Sequence, residues 1–142
     1  MQAIRPQKAA TGSVHLFHRP RILLVDEDSR DRDHYRRMLQ DSGFEVRTCS
    51  NFAEAANLLG TAPFDCVVVD QGGPDFKGRL VLEHSVAKDR YRPVVIVSHY
   101  HDVGCYLEAM QLGAVDYLEK PLSALEIVRV VTTHLQSKNA AA

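Results

Sequence analysis

Ile22-Leu23-Leu24-Val25 runs directly into Asp26-Glu27, and Val94-Val95-Ile96-Val97 runs directly into Ser98-His99. Four apolar residues in a row, closed by polar ones, suit a strand covered on both faces, because a strand with one wet face alternates apolar and polar positions. Extended to their natural breaks, these runs become strands over Arg21–Asp26 and Pro93–Ser98. Further strands are expected over Phe44–Cys49, Phe64–Asp70 and Val115–Leu118.

The stretches between them carry a helical period. Phe52, Ala55, Ala56 and Leu59 recur at i, i+3, i+4 and i+7 behind a capping Asn51, and Val103, Leu107, Met110 and Ala114 mark another stripe. Tyr35, Met38 and Leu39 give a thinner stripe after Ser29, and a last helix over roughly Ser123–Gln136 presents Leu125, Val128, Thr132 and Leu135 on one face. Gly43 and Gly113 stand where helices should end. Strands alternating with crossover helices predict an α/β protein with a doubly wound parallel sheet of five strands and five helices on both faces. The expected organisation is an N-terminal arm over 1–20, one domain over 21–136 and a tail over 137–142. Only Ser137–Ala142 follow the last helix, so no output domain is expected within these residues.

Composition narrows the function classes. At 142 residues with 45% hydrophobic and 25% charged residues, the chain has the make-up of one ordinary globular domain. A net charge of −1 gives no electrostatic case for nucleic acid, and Arg5, Lys8, Arg19 and Arg21, the four charges before Asp26, read as a solvated arm. Cys49, Cys66 and Cys105 lack metal-ligand spacing and fall in expected strands or helices, so buried, reduced thiols and a cytoplasmic setting are expected. No apolar run approaches the roughly 18 residues of a membrane span.

In a parallel sheet the residues just past the strand C-termini gather at one edge, where such folds bind ligands. Asp26 and Glu27 follow the first strand, Asp70 ends the third, Ser98 ends the fourth, and Lys120-Pro121 follow the fifth. Any one of these acids alone reads as a helix cap or turn residue. Three acids, a hydroxyl and an amine converging from four strands are much harder to obtain by chance.

These residues carry a family resemblance. The pair Asp26-Glu27 after Leu23-Leu24-Val25, Asp70 with Pro74 and Gly78 four and eight residues on, Ser98 after Val95-Ile96-Val97, and the run Gly113-Ala114-Val115-Asp116-Tyr117-Leu118-Glu119-Lys120-Pro121 resemble the response-regulator receiver domain of two-component signalling. The resemblance runs from Arg21 to about Gln136. It implies a flavodoxin-like strand order 2-1-3-4-5, a phosphoacceptor role for Asp70, and a sensor histidine kinase or phosphotransfer protein as donor.

The chemistry agrees. An aspartate is ionised at neutral pH and needs no general base to attack a phosphoryl group, but clustered carboxylates repel the incoming dianion. A hard cation with oxygen ligands answers that repulsion, and magnesium suits a site of few carboxylates plus waters. The resemblance implies that Mg2+ is held by Glu27 and Asp70 directly, by Asp26 through water and by the backbone carbonyl of Gly72. It further implies that Lys120, aimed by a cis bond to Pro121, pairs with the phosphoryl oxygens, and that Ser98 and Tyr117 form the switch. Output is then expected at the surface of the fourth helix, fifth strand and fifth helix, with Asp116 and Arg129 in a symmetric dimer contact. On this reading the chain is a phosphoacceptor that at most catalyses its own phosphorylation and dephosphorylation, with no nucleic-acid or membrane partner.

Three departures from the family pattern stand out: Glu27 where aspartate is commoner, Gly72 in place of a side chain, and bulky His99 after Ser98. His99 is expected at the lip of the site, where its ring leans over Asp70 and obstructs the donor sterically at pH 8, less so towards pH 6 as histidine gains charge. His99 and His101 lack a third metal ligand nearby and read as part of a solvated loop. Two other functions compete. Asp26-Glu27-Asp28-Ser29 also resembles the Asp-x-Asp opening of haloacid-dehalogenase-like phosphatases, with Asp26 as nucleophile and Asp28 as acid. A receiver-shaped interaction module that takes no phosphate is the other.

Overall fold

The computed structural model describes residues 19–141. The expected arm over 1–20 therefore lies almost wholly outside the described residues, as does Ala142 of the expected tail.

Ten elements alternate along the chain: β1 (Arg21–Val25), α1 (Ser29–Asp41), β2 (Glu45–Cys49), α2 (Phe52–Thr61), β3 (Cys66–Asp70), α3 (Arg79–Lys88), β4 (Val94–Ser98), α4 (Val103–Gln111), β5 (Asp116–Glu119) and α5 (Ala124–Ala141). The strands form one parallel sheet in the order β2-β1-β3-β4-β5, the doubly wound arrangement expected. Side-chain alternation divides each apolar run between two cores. Leu23 and Val25 of β1, Val67 and Val69 of β3 and Ile96 of β4 pack with Phe52, Leu59, Val81, Leu82 and Ala109 of α2, α3 and α4. Ile22, Leu24, Cys66, Val68 and Val95 point the other way, to Tyr35, Leu39, Ile127 and Val131 of α1 and α5. Strands buried on both sides have no use for polar residues until they reach the edge, which is why β1 and β4 end so sharply in chemistry-bearing side chains.

Helix starts follow local capping. The side chain of Asp28 accepts hydrogen bonds from the backbone N–H groups of Arg30 and Asp31 at 2.8 and 3.1 Å, and Asn51 and Asp102 cap α2 and α4 in the same way. Ser123 and Glu126 exchange side-chain to backbone bonds of 3.0 and 3.1 Å across the first turn of α5.

Three expectations need correction. The α4 stripe of Val103, Leu107 and Met110 faces solvent, and Cys105 and Ala109 face the sheet. In α5 Ile127 and Val131 are the buried positions, while Leu125 is exposed and Val128 and Leu135 are only partly covered. In both helices apolar residues occupy two adjacent faces, so period alone does not choose between them. Residues 137–141, expected as a tail, continue α5, since neither glycine nor proline follows Gln136 to stop it. The three cysteines are free and buried as expected, and burial pushes the Cys66 thiol up to about 12. Among the described residues no helix is long and apolar enough to cross a membrane.

Candidate functional site

The strand order reverses between β1 and β3, and a reversal of this kind leaves a crevice beyond the strand C-termini. Asp26 leaves β1 and Asp70 closes β3 on either side of that crevice. Lys120, just past β5, reaches across from the far edge. Its side chain is fully buried, and its ammonium donates to Asp26 Oδ2 at 2.7 Å, Asp70 Oδ1 at 2.8 Å and Asp31 Oδ2 at 2.9 Å. The lysine is held from behind: its Nζ lies 5.7 Å from the centre of the Tyr35 ring, and the Tyr35 hydroxyl accepts from the N–H of Leu122 at 3.0 Å. The Lys120-Pro121 peptide is cis, in keeping with the resemblance.

Electrostatics divide these groups. Burial alone would lower the lysine pKa, but hydrogen bonds to Asp26, Asp70 and Asp31 more than reverse it and hold Lys120 protonated well above the usual lysine range. Burial raises the pKa of Asp26 by more than Lys120 lowers it. For Asp31, burial is outweighed by the hydrogen bonds from Lys120 and His99, and its pKa falls. Lys120 therefore stays protonated, and Asp26 costs more to ionise than Asp31.

The loop after Asp70 is folded tightly on itself. The N–H of Gly72 donates to Asp70 Oδ2 at 2.9 Å, and the N–H of Gly78 donates to the carbonyl of Gln71 at 2.9 Å. Gly72 has φ +82°, and a Cβ there would lie 2.8 Å from Lys77 Cβ and 2.9 Å from Phe52 Cζ. Its missing side chain is thus a steric requirement of this loop. A Cβ on Gly78 would meet the Asp70 carbonyl oxygen at 2.3 Å, which accounts for the second glycine.

Asp26, Glu27, Asp70, Gly72, Lys77 and His99 line a single open cavity of about 230 Å³. Lys77 stands 3.6 Å from Glu27, an exposed pair of little energetic weight. The donors offered here are carboxylate and backbone carbonyl oxygens, the hard set that magnesium takes. Among the described residues no group of three or more His, Cys, Asp or Glu side chains is arranged to hold a metal ion by itself. An ion here would keep several waters, as magnesium commonly does.

Ser98 is buried at the end of β4, where its Oγ accepts from the N–H of Tyr100 at 2.9 Å. Tyr117 of β5 donates its hydroxyl to Gln71 Oε1 and stacks edge-on against Tyr106 of α4, ring centres 5.7 Å apart. Burial pushes the Tyr117 hydroxyl pKa up, so it remains a donor. The expected His99 contact differs: its Nε2 lies 2.6 Å from Asp31 Oδ2, so the ring lines the cavity while held towards α1. His101 lies near Glu119 instead, at 3.4 Å, so the two histidines have separate partners.

Asp31, Gln71 and Lys77 are participants that the sequence reading missed. Asp31 sits in the first turn of α1, where the helix dipole favours any acid, so nothing in its local sequence marks it. Gln71 directly follows the expected acceptor and was the available signal: a polar residue immediately past an apolar strand, buried to 1% exposure. A larger cavity, about 470 Å³, lies on another face between Val103 and Tyr106 of α4 and Tyr117 and Glu119 of β5.

Comparison with known proteins points the same way as the geometry. Residues 22–132 match the family model described as the response regulator receiver domain. The chain is 31% identical to the transcriptional regulatory protein FixJ of Bradyrhizobium diazoefficiens over 85% of its length and 59% of the relative. It is 37% identical to the transcriptional regulatory protein PrrA of Mycobacterium leprae over 87% of its length and 53% of the relative. It therefore spans little more than half of these relatives. Among solved structures, it matches a CheY-like receiver domain from Methanospirillum hungatei with a TM-score of 0.83 at 22% identity, covering 88% of this chain and all of that one. Full-length FixJ from B. japonicum matches with a TM-score of 0.76 at 30% identity, covering 86% of this chain and 60% of that one.

Proposed function

Because the chain belongs to the response-regulator receiver family, we propose that Asp70 is its phosphoacceptor and that the cluster around Lys120 is the machinery of phosphoryl transfer. The observation that carries this reading is the Lys120 ammonium, fully buried and 2.8 Å from Asp70 at the point where the strand order reverses. Phosphoryl transfer depends on positioning and on neutralising charge, and this arrangement supplies a fixed cation beside a partly accessible carboxylate. Glu27, Asp70 and the Gly72 carbonyl would hold magnesium, with Asp26 acting through water. Bound there, the ion would neutralise charge on the incoming phosphoryl group. Ser98 would bond a phosphoryl oxygen, and Tyr117 would respond to its movement.

The donor class is a sensor histidine kinase or a phosphotransfer protein, and the setting is the cytoplasm, which suits three buried thiols. The surface of α4, β5 and α5 is the proposed output face. Val103, Leu107 and Met110 of α4 are exposed there beside Tyr106 and the α4–β5 cavity, an apolar stripe suited to a homodimer or partner contact. Asp116 lies 3.4 Å from His134 and remains on this face, with exposed Arg129, for the symmetric contact.

The phosphatase reading is weaker on two observations. The Asp26 side chain is only 3% exposed against 17% for Asp70, so it is the less accessible carboxylate, and Asp28, its supposed acid, is occupied as the cap of α1. The test is intact mass after incubation with acetyl phosphate. A gain of one phosphoryl unit that requires a divalent cation and is absent from Asp70→Asn supports the proposal, and a gain retained by Asp70→Asn contradicts it.

A further inference from the structure

Lys120 has three N–H donors, and each is already directed at a different carboxylate: Asp26, Asp70 and Asp31. None remains for a phosphoryl oxygen. For Lys120 to reach one, a carboxylate must be given up, and the three differ in how easily that happens. Asp26 is buried, with its second oxygen fixed on the N–H of Asp28, so releasing it would leave a charge away from water with one backbone N–H and no cation beside it. Asp70 is the proposed acceptor itself. Asp31 projects from the first turn of α1 and keeps 21% of its side chain exposed, so water can replace the lysine.

A second contact holds Asp31 in place. The oxygen that accepts from Lys120, Oδ2, also meets His99 Nε2 at 2.6 Å, and His99 comes from the opposite wall, directly after β4. The pair bridges α1 and the β4–α4 loop beside the cavity. A first-turn acid that served only the helix dipole would need neither contact, and Asp31 is not the cap, since Asp28 fills that position.

We propose that Asp31 is a positioning residue that competes with the phosphoryl group for Lys120 and thereby slows phosphoryl transfer, with His99 orienting it. The proposal rests on the reading of Asp70 as acceptor. With acetyl phosphate, a carboxylate oxygen of Asp70 attacks phosphorus, the bond between phosphorus and the acetyl oxygen breaks, and acetate leaves with the electron pair. No proton is taken up or lost. One Lys120 N–H passes from Asp31 to a phosphoryl oxygen, and the Asp31 carboxylate, still ionised, opposes both that exchange and the approach of the dianion.

The test is the second-order rate constant for phosphorylation by acetyl phosphate with magnesium saturating, measured beside the affinity for beryllofluoride. Asp31→Asn, which keeps the shape and removes the charge, should react about tenfold faster and bind beryllofluoride about tenfold more tightly, a change of about 1.4 kcal/mol. Asp31→Glu restores the charge and should return to within about threefold of wild type. Damage to the fold would slow the reaction, so a gain separates positioning from a structural role. Should Asp31→Asn not fold, His99→Ala, which frees Asp31 from one side, should be faster by a smaller factor. An Asp31→Asn protein, or in its absence a His99→Ala protein, that matches wild type or reacts more slowly overturns the proposal. A wild type that takes no phosphoryl group on Asp70 overturns the acceptor reading instead, and this proposal with it.

Discussion

Tyr117 on β5 donates its hydroxyl to the side-chain oxygen of Gln71, the residue immediately after Asp70. The Gln71 amide nitrogen donates in turn to the carbonyl of Gly73 at 2.9 Å, and the Tyr117 ring packs edge-on against Tyr106. One buried amide thus joins the acceptor loop to β5 and α4, the elements of the proposed output face. Gln71→Leu should cost about 2 kcal/mol in stability, the typical worth of the two lost hydrogen bonds at about 1 kcal/mol each. It should leave phosphorylation of Asp70 intact while making amide exchange over residues 103–119 faster before activation and less responsive to beryllofluoride. An unchanged response over 103–119 would show that the signal bypasses Gln71.

Lys120 balances three carboxylates from a fully buried position, so its loss should be felt in stability before it is felt in function. Lys120→Met should lower unfolding stability by about 3 kcal/mol without divalent cation, because it strands the buried Asp26 charge. If the carboxylates hold magnesium as proposed, saturating ion should recover much of the loss by binding the folded state alone. Urea midpoints with and without magnesium measure both effects.

The pKa of Asp26 is shifted in the opposite direction from that of Asp31. Its folded pKa is raised, so its ionised form costs stability above that value, and the cost fades as pH falls towards the unfolded value of about 4. Asp26→Asn should therefore raise the urea midpoint at pH 7, and the gain should vanish by about pH 4. Asp31, with its lowered pKa, contributes stability that is present above about pH 4 and lost as pH falls through its folded value. Asp31→Asn should accordingly lower the midpoint at pH 7 even as it speeds phosphorylation. Midpoints that moved together for the two variants would contradict this assignment.

The contact of His99 with Asp31 sets a coupled account of site access beside the purely steric one. If His99 acts by holding Asp31 on Lys120, His99→Ala should speed phosphorylation in the wild-type background and do little in Asp31→Asn, a non-additivity that a double-mutant cycle reads directly. Fully additive gains would instead mean that the ring obstructs the donor by bulk.

Much of this architecture was legible from one-dimensional features. Apolar runs with no polar interruption marked strands covered on both faces, and the polar residues ending them marked the ligand edge, because sheet geometry converts "end of strand" into "side of crevice". Which face of α4 and α5 is buried was not legible, since each helix carries a second apolar face: Val103 and Leu107 are as hydrophobic as the buried Cys105 and Ala109, and what exposes them is the placement of α4 on the sheet. Asp31 and Gln71 escaped for a different reason. Each has an ordinary local explanation, and the contacts that distinguish them join residues 89 and 46 positions apart in sequence. In the sequence Gly72 stands out only as a missing side chain, and it is the packing of Phe52 and Lys77 against it that shows why a side chain there would not fit.

The central claim is that Asp70 is the residue phosphorylated, and identifying the modified residue tests it most directly. Wild-type protein phosphorylated by acetyl phosphate with magnesium is reduced with borohydride, which converts an aspartyl phosphate to homoserine, then digested and sequenced by mass spectrometry. The account predicts homoserine at position 70 and unmodified aspartate at position 26. Homoserine at position 26, with Asp70 intact, would contradict it.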